Sequence, residues 1–236
     1  MPQLLFTGRY MFLGQSYFFW ITFTLLGAVF YFFPELDIWF SSLFFQNGEF
    51  YLRNNPLIVF VYDATHPLVA LFFLGVLGLL IYTMVTKKTL FSLKKPALVF
   101  MLIAIIMAPG VVVNLILKDN VDRARPKHIT QFGGDKLFTP AFVVSDQCPN
   151  NCSFVCGHAA AGFSFIALAF VFTGKLRRRI FITAVTAGFL IGLVRVIQGG
   201  HFLSDVIFSF FFTYLTIRLL YYLIMEKLTT AYEKVY

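Results

Sequence analysis

Six stretches of near-continuous apolar residues recur along the chain: Tyr17 to Phe33, Leu68 to Thr86, Ala97 to Leu117, His158 to Thr173, Ile180 to Ile197 and Asp205 to Met225. Each approaches the roughly 17 to 25 residues a helix needs to cross a hydrocarbon core of about 30 Å. The pattern predicts an all-α fold, a polytopic membrane bundle of six transmembrane helices in a single domain over residues 1–236. The fourth stretch is the shortest, and its first turn reaches towards the headgroups. Tyr17 to Phe33 reads as a retained helix, because its apolar run is too long for a signal peptide and Pro34-Glu35-Leu36-Asp37 offers no small-residue cleavage site.

The connectors set the orientation. Lys87 to Lys95 carries Lys87, Lys88, Lys94 and Lys95 without an acid, and Gly174 to Arg179 carries Lys175, Arg177, Arg178 and Arg179 without one. Both belong on the cytoplasmic side. The loop Pro34 to Pro67 holds Glu35, Asp37, Glu49 and Asp63 against Arg53 alone, which suits the opposite face. Both termini are then expected inside. Within that loop, Leu36 to Val61 interleaves Trp39, Phe40, Phe44, Phe45, Phe50 and Tyr51 with polar residues, as an amphipathic segment along the outer interface or a loop with aromatic anchors would.

Composition agrees with a bilayer protein: 59% hydrophobic, 19% aromatic and 13% charged, with a mean hydropathy of +0.80. The net charge of +8 is too interrupted by apolar segments to indicate a nucleic-acid partner. Cys148, Cys152 and Cys156 all fall in the outward region between the third and fourth stretches. Two readings stand side by side: a Cys148 to Cys152 bridge around Pro149-Asn150-Asn151, or three unpaired thiols. A closed zinc site would need a fourth ligand.

The same outward region opens with Lys118, Arg123, Arg125 and Lys127, where the topology rule predicts few basic residues. Asp119, Asp122, Asp135 and Asp146 nearly balance them, so a solvated face is one explanation. Arg195 points to another, since an unpaired guanidinium near the end of an apolar span implies a partner or a function. His201 follows it, and Asp205 stands four residues further, placed to hydrogen-bond one imidazole nitrogen if that turn is helical. Lys118, Arg125, Arg195, His158, His201 and Asp205 all fall at outward helix ends or beside them. Fixed cations with histidines and a carboxylate suit a phosphate, and backbone N–H groups near Cys156, Gly157 and His158 add anion donors at a helix start.

These residues resemble the type-2 phosphatidic acid phosphatase family, whose signature is KxxxxxxRP, PSGH and SRxxxxxHxxxD. The first motif is complete from Lys118 to Arg125-Pro126, and the third runs from Arg195 through His201 to Asp205. The middle one is partial, as Val155-Cys156-Gly157-His158. The resemblance spans about Lys118 to Ser209 by motif, within a core of about residues 97–225. It implies that His201 attacks phosphorus, Asp205 orients it, and His158 protonates the leaving oxygen and later activates water. Lys118, Arg125 and Arg195 would hold the phosphate oxygens together with Cys156 and Gly157, with no metal and no cofactor. Val155, Cys156 and Val194 replace the family's proline and two serines, and a thiol is the weaker donor. A cysteine-phosphatase loop would need an arginine where Gly162 stands.

The implied activity is metal-independent removal of phosphate from a membrane lipid at the outer, periplasmic leaflet of a bacterial cytoplasmic membrane. The CSFVCGH context most resembles enzymes that dephosphorylate lipid A. Undecaprenyl pyrophosphate, phosphatidylglycerophosphate and phosphatidic acid are the alternative substrates, and a lipid-phosphate binder or transporter is the non-enzymatic alternative.

Overall fold

A computed structural model describes residues 11–12 and 15–227. Two short antiparallel ladders occur, β1 (Met11–Phe12) with β2 (Gln15–Ser16) and β3 (Phe45–Gln46) with β4 (Glu49–Phe50). Among the described residues, the rest of the regular structure is helical apart from an isolated bridge between Ile129 and Lys136. Helix α1 (Tyr17–Phe32) starts at Ser16, whose hydroxyl accepts from the Phe19 amide at 3.3 Å. Pro34 heads α2 (Glu35–Ser42), which is bent 82° from α1. Proline cannot continue the preceding hydrogen-bond ladder, and Glu35 and Asp37 suit the positive end of the new helix.

Helix α3 (Pro56–Thr86) begins at Asn55, whose side chain accepts from Leu57 N at 3.0 Å, with Pro56 in the first turn. It starts a dozen positions ahead of the predicted Leu68, because Tyr62, Asp63 and His66 interrupt the apolar run without interrupting the helix. Helix α4 (Lys95–Ile105) runs on through a π-helical segment, Ile106–Leu117, that contains Pro109. A proline ring in that position blocks the ordinary ladder and favours the wider turn. After α5 (Lys118–Val121) come an irregular outer region, α6 (Gly157–Phe163), α7 (Ile166–Val171), α8 (Gly174–Ile197) and α9 (Leu203–Tyr221). Helix α8 takes in Lys175 to Arg179, so the basic connector predicted there is the first part of a helix.

Helices stand on all six predicted stretches. Four are long and apolar enough to cross a bilayer: Pro56–Thr86, Lys95–Leu117, Gly174–Ile197 and Leu203–Glu226. The bent α1–α2 pair adds a fifth if it counts as one span, and Gly157–Val171 is shorter. The predicted interfacial segment Leu36 to Val61 divides instead into α2, a hairpin and the start of α3. Its hairpin turns at Asn47 and Gly48, both at positive φ (52° and 85°), the backbone that an Asn-Gly turn adopts at least cost. The hairpin tucks Phe50 inward, against Phe45 and Phe132 at 5.2 and 5.3 Å between ring centroids.

Burial is concentrated on α6, where Ala159, Ala160 and Phe163 have no exposed surface. Small residues let α8 press against it: a Cβ on Gly188 would lie 2.1 Å from the Phe163 ring. That close approach is how membrane helices gain packing without a hydrophobic driving force. Helix α3 is the opposite case, with only 11% of its apolar window buried.

Candidate active site

All the residues singled out from the sequence converge at the end of the bundle where α6 begins. Lys118 is 8% exposed, and its Nζ donates to Asn151 Oδ1 at 3.2 Å. Arg125 donates from Nε and Nη2 to the Asn151 carbonyl at 3.0 and 2.7 Å, and from Nη2 to Asn151 Oδ1 at 2.7 Å. Asn151 is held by the Cys148–Cys152 disulfide, with Cα atoms 5.6 Å apart, which settles the open question about those cysteines. Burial, and after it the neighbouring Arg125 and Arg195, push the Lys118 ammonium below the usual lysine value. Three cations therefore share one neighbourhood.

Arg195 lies in the last turn of α8, 7% exposed. Its Nη1 donates to Gln198, its Cζ sits 4.5 Å from the centroid of the Tyr62 ring, and its buried Nε has no hydrogen-bond partner among the described residues. An unsatisfied buried donor of this kind is costly. An anion bound in the basin that Lys118, Arg125 and Arg195 surround would offer it a partner.

His201 precedes α9 and is 1% exposed. Its Nδ1 lies 2.7 Å from the Ser153 carbonyl. A carbonyl only accepts, so the proton sits on Nδ1 and the free lone pair on Nε2. Burial lowers the imidazole's pKa to about 3, leaving it neutral and nucleophilic near pH 7.

Asp205 departs from the sequence expectation in one respect. Its Oδ2 is 3.5 Å from His201 Nδ1, because α9 starts at Leu203 and His201 lies ahead of it, outside a helical i,i+4 register. The same oxygen accepts from Ser153 Oγ and from Phe202 N at 2.8 Å. Ser153 is thus the joint between them, holding the imidazole with its carbonyl and the carboxylate with its hydroxyl.

Behind Asp205 stands a group that sequence reasoning missed. Arg123 has no exposed surface and donates from Nη1 to Asp205 at 2.6 Å and to Ser204 Oγ at 2.9 Å. Its Nη2 donates to Asp37 at 2.8 Å and its Nε to the Thr139 carbonyl at 2.8 Å. Its guanidinium lies 4.3 Å from the Phe202 ring centroid. Asp37, on α2, also accepts from the Ser204 amide at 2.9 Å. Its position two residues before Arg125 is the signal the sequence carries for Arg123, and the nearby Asp119 and Asp122 give it the look of a balanced surface charge.

His158 occupies the second position of α6. Its ring stacks on Tyr62 at 4.6 Å with 17° between planes, and His66 meets it edge-on at 4.3 Å. Tyr62 and His66 were likewise not singled out. Cys156 is the N-cap of α6, and its sulfur accepts from the Ala159 amide at 3.5 Å. Burial raises its thiol pKa to about 11, so it is a neutral thiol. Gly157 is required by a close approach, since a Cβ there would fall 2.7 Å from Asn114 Oδ1 and 3.4 Å from Lys118 Nζ. The backbone at the start of α6 is thereby open to the same space as the lysine.

Comparison with known proteins fits this geometry. The profile of the PAP2 superfamily matches residues 97–228. A protein of Francisella tularensis subsp. novicida (strain U112) named lipid A 4'-phosphatase is 37% identical over 83% of this chain and 89% of its own. One of the same name from Rhizobium leguminosarum is 32% identical over 80% of this chain and 87% of its own. No solved structure matches the chain at a significant level. With more than half its length matched and its three motifs gathered at one end of the bundle, the chain belongs to the PAP2 superfamily, the phosphatase family its sequence resembles.

Proposed function

We propose that the protein removes phosphate from lipid A at the periplasmic face of a bacterial inner membrane, through a phosphohistidine and without a metal. In this reading the chain crosses the membrane six times with both termini inside. The shorter Gly157–Val171 helix and the bent α1–α2 pair count as spans beside the four long helices. The relatives named lipid A 4'-phosphatase support the substrate.

The observation that carries the mechanism is the fixed tautomer of His201 beside three cations. Nδ1–H is committed to the Ser153 carbonyl, so Nε2 is the nitrogen left to meet a phosphate that Lys118, Arg125, Arg195 and the amides at the start of α6 hold in this reading. Nε2 attacks phosphorus as the bond to the sugar oxygen breaks, and that oxygen takes a proton from His158. The phosphorylated imidazole is then cationic, with Asp205 at 3.5 Å and the Ser153 carbonyl to stabilise it. His158, now neutral, removes a proton from water, the hydroxide attacks phosphorus, and inorganic phosphate leaves His201 as it began.

Phosphate release from purified lipid A by the detergent-solubilised protein, with and without chelator, tests the proposal. Release that persists with chelator and vanishes in His201→Ala is the expected result. No release by the wild type overturns the substrate, loss on chelation overturns the metal-free route, and an active His201→Ala overturns the nucleophile.

A further inference from the structure

Tyr62 and His66 stand one helical turn apart on α3, so they share a face, and that face looks into the basin although most of α3 looks outward. Neither belongs to the three motifs. Both touch His158: Tyr62 stacks on the imidazole at 4.6 Å and 17°, and His66 abuts it at 4.3 Å and 90°. The Tyr62 ring also carries the Arg195 guanidinium, 4.5 Å from its centroid. One aromatic ring therefore joins a phosphate-binding cation to the histidine beside it.

We infer that Tyr62 is a positioning residue for proton donation: its ring fixes the plane of the His158 imidazole and stabilises it in the cationic form it must take to act as an acid. The inference rests on the reading of His158 as the proton donor. An imidazolium at this place is close to Lys118 and Arg195, with His66 and His201 also around it. The carboxylates of the site, Asp37 and Asp205, are both engaged by Arg123. Among the described residues, two sources of negative potential stand directly beside His158 on this reading. One is the phosphate, present only when substrate is bound. The other is the π face of Tyr62, which is permanent. His66 meets the ring edge-on at 4.3 Å, a second contact on the same imidazole.

The electrostatic part of this role depends on the leaving group. Expelling an alkoxide requires a proton, whereas p-nitrophenolate departs without one. The test compares dodecyl phosphate with p-nitrophenyl phosphate in detergent, using wild type, Tyr62→Phe, Tyr62→Leu and His158→Ala. Tyr62→Leu is expected to lower kcat/KM, which reads the steps up to phosphorylation of His201 and not the later attack by water, about 10-fold on dodecyl phosphate, the size of one partly desolvated cation–π contact, and less than about 2-fold on p-nitrophenyl phosphate. Tyr62→Phe keeps the ring face and is expected to stay within about 2-fold of wild type on both. Equal losses on the two substrates would mean that Tyr62 acts through the fold or through Arg195 and not through His158, and no loss on either would mean that it does nothing for His158. Either result overturns the inference. His158→Ala separates the two levels of the argument. If it shows no dependence on the leaving group, the acid role of His158 fails and the role of Tyr62 falls with it. If it shows that dependence and Tyr62→Leu does not, only the inference about Tyr62 is lost.

Discussion

His201 and His158 reach the same basin from two unlike walls of the molecule. The His201 wall is a closed polar lattice: Ser153, Asp205, Arg123, Ser204 and Asp37 are each buried and each hydrogen-bonded to another member. The His158 wall is made of rings, with Tyr62 and His66 brought in on a helix that otherwise faces outward. The difference matches what each imidazole does in the proposed reaction. A nucleophile needs one tautomer and one orientation, which directional hydrogen bonds enforce. An acid that alternates between charged and neutral forms is better served by a ring face, which favours the cation without locking either nitrogen.

The comparison is broken most severely at Arg123. Arg123→Ala leaves Asp37 and Asp205 buried without their counter-charge, a loss on the order of 3–5 kcal/mol by the usual behaviour of buried ion pairs. Detergent-phase thermal unfolding should fall sharply and phosphate release should be abolished, while Tyr62→Leu leaves unfolding near wild type. Equal unfolding of the two variants would show that the walls do not differ in kind.

The disulfide is the next lever. The pair Cys148→Ser with Cys152→Ser frees the loop that carries Asn151, the partner of Lys118 and Arg125, and removes about 2 kcal/mol of loop-closure stabilisation. KM is expected to rise about 5-fold, the worth of roughly one net hydrogen bond, with kcat little changed. A fall in kcat at constant KM would place Asn151 in the chemistry rather than in holding the cations.

Cys156→Ser is the mildest change. A hydroxyl is a better cap for the Ala159 amide and a better phosphate donor than a thiol, so stability should gain about 0.5–1 kcal/mol and activity should hold or rise a few-fold. A severe loss would mean that the start of α6 does not line the phosphate site.

The proposed phosphate-binding part of the site was legible because the family spacing is local: Lys118, Arg125 and Pro126 lie within one short stretch, as do Arg195, His201 and Asp205. The supporting shell was not. Arg123 meets Asp37 across 86 residues and Ser204 meets Asp37 across 167, and nothing in a local pattern pairs charges at that distance. Tyr62 and His66 were hidden for another reason, since the polar residues around them broke the apolar run and suggested loop. The hairpin at Asn47-Gly48 carries a strong turn signal, but its two-residue strands are too short to show an alternating pattern beside it. The Cys148 to Cys152 pairing depended on a loop geometry that spacing alone leaves undetermined.

The length of α3 has a further consequence. Its 31 residues extend about 46 Å at 1.5 Å per residue, against a hydrocarbon thickness of about 30 Å. With the Thr86 end at one boundary, the helix emerges near Pro67, and the turns bearing Tyr62 and His66 stand above the hydrocarbon at the depth of the headgroups. A phosphate in the basin then sits at the height it already occupies in the leaflet. On the proposed reading, the substrate then need not be lifted out of the membrane to react, and discrimination among lipids would fall to the shape of the headgroup rather than to the cost of extracting its chains.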